Sequence, residues 1–187
     1  ARARRLRMAK LGSYGLNREG LTVFTEAATG PYRFTPHLCA LAGAEKVHAL
    51  AKDSRWGTAA ETIEAGRALV AEWGVASTIS FLTEKTADAL GETDIIMNSG
   101  NVRPIDHATV ERLKPTCVIP LMWETWELRP EELDPDACRE RGILVMGTDE
   151  EIIDFRRFTG IMHLKILLEL GLEICTNRIL VLSTNPV

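Results

Sequence analysis

Apolar positions along the chain come in two rhythms. Short runs without alternation sit at 21–26 (LTVFTE), 46–51 (KVHALA), 77–82 (STISFL), 93–97 (TDIIM), 117–121 (CVIPL), 143–147 (ILVMG) and 179–183 (ILVLS). Each is short enough for a strand and rich in β-branched or aromatic residues. Between them the spacing changes to three and four. Residues 58–73 put Ala59, Ile63, Gly66, Val70 and Trp73 on one face, and Gly74 follows as a stop. Thr35-Pro36 opens a short helix over 35–44. Asp106 caps a helix that buries Val110 and Leu113. Asp134, Pro135 and Gly142 mark the cap, first turn and end of another. Thr148 to Glu151 reads as a capping box for a long helix, about 149–170, with Ile152, Phe155, Met162, Ile166 and Leu170 along one side.

Strands alternating with helices predict β-α-β units and a mostly parallel sheet. Runs that are apolar throughout predict strands covered on both faces. The expected fold class is therefore an open, doubly wound α/β sheet of Rossmann or flavodoxin type. The segments divide into a basic arm (1–20), an α/β domain (21–148), and a crossover helix with a first strand of a further, nucleotide-binding domain (149–187). A start without Met and an end on Asn-Pro-Val just after a strand suggest one piece of a longer polypeptide.

Composition adjusts this picture in three places. The 45% of apolar residues in a chain of 187 suffices for a core, and no apolar run reaches membrane-span length. The net charge of −4 is uneven: residues 1–18 hold six basic residues and no acid, leaving 16 basic against 26 acidic residues beyond them. That acidic body argues against a broad nucleic-acid surface, and the basic head reads as a solvated or packed arm. Cys39, Cys117, Cys138 and Cys175 are widely spaced, which predicts reduced, buried thiols in a cytoplasmic protein, without a disulfide framework or zinc site.

Open parallel sheets bind ligands at the carboxyl ends of their strands. Thr29 and Gly30 follow the first run and offer backbone N–H groups to a phosphate or carboxylate. Asp53 follows the second, where a carboxylate can take ribose hydroxyls of a cofactor. Asn98, Ser99, Gly100, Asn101 and Arg103 follow the fourth, and a guanidinium suits an anion. Trp123 and Trp126, with Glu124 and Glu127, follow the fifth and read as packing or interface residues. The four histidines have no partner at metal or triad spacing, so no metal is expected.

The stretch TDIIMNSGNVRPIDHATVERLKP, then CVIPL, then ELDPDACRERGILVMGT, resembles the substrate domain of the D-isomer-specific 2-hydroxyacid dehydrogenases over 93–148. The resemblance implies a two-domain enzyme using NAD or NADP on a small acid. It implies a substrate contact at Ser99 to Arg103, and catalytic residues beyond 187. The expected protein is thus the first domain of an NAD(P)-dependent oxidoreductase, completed by further chain or by homo-oligomerisation. Two alternatives stand beside it: a nucleotide-binding transferase such as an S-adenosylmethionine-dependent methyltransferase, and a non-catalytic α/β assembly module.

Overall fold

The computed structural model describes residues 18–75, 78–124, 128–148 and 155–172, with isolated positions 15, 175, 176, 178 and 180. Six parallel strands form one sheet: β1 (Thr22–Glu26), β2 (Lys46–Leu50), β3 (Ile79–Leu82), β4 (Ile95–Ile96), β5 (Val118–Glu124) and β6 (Leu144–Thr148). Their spatial order is β3-β2-β1-β4-β5-β6. Between them run α1 (Thr35–Leu41), α2 (Ala59–Trp73), α3 (Ala87–Gly91), α4 (His107–Arg112) and α5 (Pro135–Glu140). The open α/β class expected from the alternation of runs is the one observed.

The two-sided burial of the strands explains their composition. All five residues of β1 are buried, and four of five in β2. Each such apolar side chain contributes roughly 1.5–3 kcal/mol when removed from water. Phe24, Leu50, Ile96 and Ile119 belong to one core cluster with Leu90, Val110, Leu113 and Ala137 from α3, α4 and α5. Val23 and Val47 belong to a second cluster with Cys39 of α1. Ala49 and Ala51 pack with Ile63 of α2 and Phe81 of β3. Gly66 allows that last contact, because a Cβ there would lie 2.6 Å from the Phe81 ring. The edge strands are less buried: in β6, Leu144 and Met146 are more than half exposed.

Local signals land where the chain places them. Thr58 and Glu61 form a reciprocal capping box on α2, and Gly74 ends that helix in the left-handed region at φ 71°. Asp106 caps α4 and Asp134 caps α5. β4 is only two residues long, shorter than the apolar run 93–97. Just before it, the Asp94 carboxylate takes the Thr22 N–H at 2.9 Å and Lys114 Nζ at 2.8 Å. Side-chain bonds there tie β1 to β4 ahead of the ladder. β5 runs three residues beyond the apolar run 117–121, into the tryptophan segment.

Cys39, Cys117 and Cys138 are buried free thiols, and burial pushes Cys117 and Cys138 up to about 11. Cys175 departs from expectation: it is exposed, lying in a bend and not in a packed strand. The chain divides into two compact units at Thr148/Asp149. The second contains α6 (Phe155–Glu169), whose apolar Met162 and Ile166 are exposed, as is Leu170 just past its end. No helix among the described residues is long and apolar enough to cross a membrane. The arm 1–14, the cap at 149–151 and the run 181–183 lie outside the described residues.

Candidate functional site

The chain runs outward from β1 through β2 to β3, then returns to place β4 on the other side of β1. The carboxyl ends of β1 and β4 therefore flank the switch point, where an open sheet leaves a crevice. Glu26 is the last residue of β1, and residues 98–103 leave β4 beside it.

Glu26 is a carboxylate at the end of an apolar strand, 5% exposed. Its Oε2 accepts the Asn101 N–H at 3.1 Å, and Asn101 Nδ2 donates to the Ala27 carbonyl at 2.8 Å. A Cβ at Gly100 would sit 3.4 Å from Glu26 Oε2, an ordinary contact, so the loop lies against the carboxylate without needing a glycine there. Burial raises the Glu26 pKa, and the Asn101 N–H and the Arg103 charge oppose the rise without cancelling it.

Arg103 is held inside the protein. Its Nε donates to Asn98 Oδ1 at 3.0 Å, one terminal nitrogen to the Asn98 carbonyl at 2.8 Å, and the other to Glu132 Oε1 at 3.0 Å. Both charged side chains are largely covered, with 14% and 18% exposure. The guanidinium so braces the β4 loop against the segment that enters α5. Asn98 and Ser99 are buried with it, and Ser99 Oγ has no hydrogen-bond partner among the described residues. Two lysines approach the same loop from β2 and β3. Lys52 Nζ donates to the Arg103 carbonyl at 3.0 Å, and Lys85 Nζ to the Pro104 carbonyl and, at 3.3 Å, to Thr109 Oγ1. Burial lowers the Lys52 pKa. It lowers Lys85 to about 8, helped by the Lys52 charge and opposed by Asp106.

Beside Glu26 lies a cavity of about 180 Å³, whose lining includes Thr29, Tyr32, Lys52, Trp56, Thr62 and Asn101. A shallower recess of about 340 Å³ adjoins it through Thr29, Trp56 and Thr62 and reaches Gly30 and Arg33. Trp56 stands 70% exposed with the Arg55 guanidinium 4.5 Å from its ring centroid. Gly30 takes φ 60° and starts a 3₁₀ turn, Gly30–Phe34, with Thr29 extended before it.

Of the residues expected from sequence, Thr29, Gly30 and Asn101 line these two cavities, while Asn98, Ser99 and Arg103 pack behind the loop. Asp53 lies outside the linings, and its Oδ1 accepts the Ala59 N–H at 2.7 Å, at the start of α2. The side chains of Trp123, Glu124, Trp126 and Glu127 fall outside the described residues. The strand-end rule reached Glu26, Tyr32 and Trp56 without giving them a role, and it passed over Lys52 and Thr62. Only Glu26 carried a usable signal: a lone acid closing a fully apolar run. His37 is structural, its ring nitrogens 3.1 and 3.0 Å from the Arg33 and Gly66 carbonyls and its edge against Trp73. Among the described residues no cluster of three or more His, Cys, Asp or Glu could hold a metal.

No family model matches the chain, and no curated protein matches it. Solved structures do. A dipicolinate synthase component from Bacillus halodurans superposes with a TM-score of 0.56 at 16% identity, over 90% of this chain and 54% of that one. A shikimate 5-dehydrogenase from Mycobacterium fortuitum gives 0.50 at 14% identity, over 75% and 49%. The chain spans about half the length of these structures. At such identities the likeness establishes the Rossmann-like α/β fold. Neither structure is a D-isomer-specific 2-hydroxyacid dehydrogenase, so the finer resemblance over 93–148 gains no support from them.

Proposed function

We propose that this chain is the substrate-binding part of an NAD(P)-dependent oxidoreductase acting on a small acid. The observation that carries this reading is the small cavity at the switch point, lined by a buried carboxylate and a lysine. Its 180 Å³ lies well below the roughly 300–1,000 Å³ of sites for drug-sized ligands, and suits a small metabolite. Both fold neighbours bear names that fit the reading, a synthase component and a dehydrogenase, and about half of each lies outside the match. Such proteins leave room for a second, cofactor-holding part. Thr29, Gly30 and Asn101 are then substrate-side residues. Asn98, Ser99, Gly100 and Arg103 shape the loop that presents Asn101. Asp53, just past the end of β2, is the position for a cofactor ribose.

Titrating the full-length protein, cofactor-holding part included, with NADH and NADPH, followed by nicotinamide fluorescence and calorimetry, tests the proposal. One of the two is expected to bind, and Asp53→Ala to weaken it. Absence of binding for both overturns the reading.

A further inference from the structure

Two opposite charges line the small cavity, and neither is neutralised by the other. Glu26 lies at the floor, 5% exposed, with one oxygen accepting the Asn101 N–H. Its other oxygen has no hydrogen-bond partner among the described residues. Lys52 lies at the exposed rim. Its ammonium carries three donors, and the one bond it makes among the described residues is to the Arg103 carbonyl. Among the described residues no ion pair joins Lys52 to Glu26 or to any other carboxylate. The other cation near Glu26, Arg103, is turned to Asn98 and Glu132.

Among the described residues Glu26 feels the Arg103 charge but bonds no cation, and the exposed Lys52 bonds no carboxylate, so each has bonding capacity left for a ligand. Burial alone disfavours the charged form of both groups, consistent with the raised Glu26 and lowered Lys52 pKa values. A ligand with one charge would satisfy one end and leave the other. A ligand with an ammonium and a carboxylate a few ångströms apart satisfies both. Uncharged donors and acceptors are also at hand in the lining, from Thr62, Thr29 and Tyr32. Thr62 is itself 7% exposed.

We propose that the cavity binds a small zwitterion, a free amino acid, with its ammonium on Glu26 and its carboxylate on Lys52. This rests on reading the cavity as the substrate site of the proposed oxidoreductase. It narrows the substrate from a small acid to one that carries an amine, and it makes Glu26 the residue that reads the amine.

The test begins with the twenty standard L-amino acids in a thermal-shift screen of the purified protein. The strongest is then measured by calorimetry beside its 2-hydroxy-acid analogue and the amine that lacks its carboxylate. Charge-assisted hydrogen bonds contribute roughly 1.5–3 kcal/mol, so each analogue should bind about ten- to a hundred-fold more weakly. Glu26→Gln should remove the preference for the amino acid over the hydroxy acid. Lys52→Met should weaken both by a similar factor. Equal affinity for amino acid and hydroxy acid overturns the proposal. So does an affinity ratio unchanged by Glu26→Gln, with far-UV circular dichroism confirming the fold. Either result leaves the small-acid reading standing. Binding of NADH or NADPH with no amino acid bound overturns the zwitterion and keeps the oxidoreductase. Should Glu26→Gln not fold, the comparison of ligands on the unaltered protein still decides.

Discussion

The two sides of the switch point use their charges differently. On the β4 side, Arg103 reaches Asn98 twice and Glu132 once, and is nearly covered. On the β1–β2 side, Glu26 and Lys52 line one cavity without meeting. Both sides carry strong charges at strand ends, so charge at a strand end does not by itself identify a ligand site. The distinguishing property is whether the protein already supplies the counter-charge. An arginine with a fork of donors matched by a carboxylate and an amide acts as a brace. A carboxylate and a lysine left apart in a cavity are available to something else.

Removing the brace should have the largest effect. Arg103→Ala leaves the mostly buried Glu132 with Arg129 as its remaining cation and removes two bonds to Asn98, and should cost about 1.5–3 kcal/mol of stability. Urea unfolding measures it, with Lys52→Met as the control expected to fall within about 0.5 kcal/mol of the parent. A loss below about 1 kcal/mol for Arg103→Ala would remove the distinction between the two sides.

Lys85 gives the next effect, read through pH. Its folded pKa of about 8 lies below its ordinary 10.5, so between those values the unfolded chain binds more protons than the folded one. Stability should therefore rise with pH across that window as Lys85 sheds its charge. Lys85→Met should remove that rise. Parallel curves for the parent and the variant from about pH 7.5 to 10.5 would show that the ammonium is not desolvated.

Glu26 gives the smallest effect and the opposite slope. Its pKa is raised, so the folded state holds the proton more tightly just above the ordinary carboxylate range. Stability then falls as pH rises through that window and the buried carboxylate ionises. Glu26→Gln should be at least as stable as the parent at about pH 7, and the gap should close near about pH 4. Thermal melts at the two values check this, and a variant much less stable at neutral pH would mean that the carboxylate is already satisfied inside the protein.

Much of the framework was legible in the chain. Asp106, Asp134 with Pro135, and Gly74 each marked a helix end by local chemistry alone, and each is found there. The apolar runs marked the strands because central parallel strands are buried on both faces. Boundaries failed at β4, just before which the Asp94 carboxylate engages the distant Thr22 and Lys114. The site was half legible. Rules about strand ends picked Thr29 and Asn101, which line the cavities, and Arg103, which packs against Asn98 and Glu132.

Local spacing determined the elements, because helix caps and strand burial depend on neighbours within a few residues or on the average apolar content of a run. The pairing of charges did not follow from spacing. Arg103 and Glu132 are 29 positions apart, and Glu26 and Asn101 are 75. Electrostatic partnership depends on distance and solvent exposure, which only the folded chain sets. Tertiary structure alone decided that Arg103 is occupied, and that Glu26 and Lys52 share a cavity without neutralising one another.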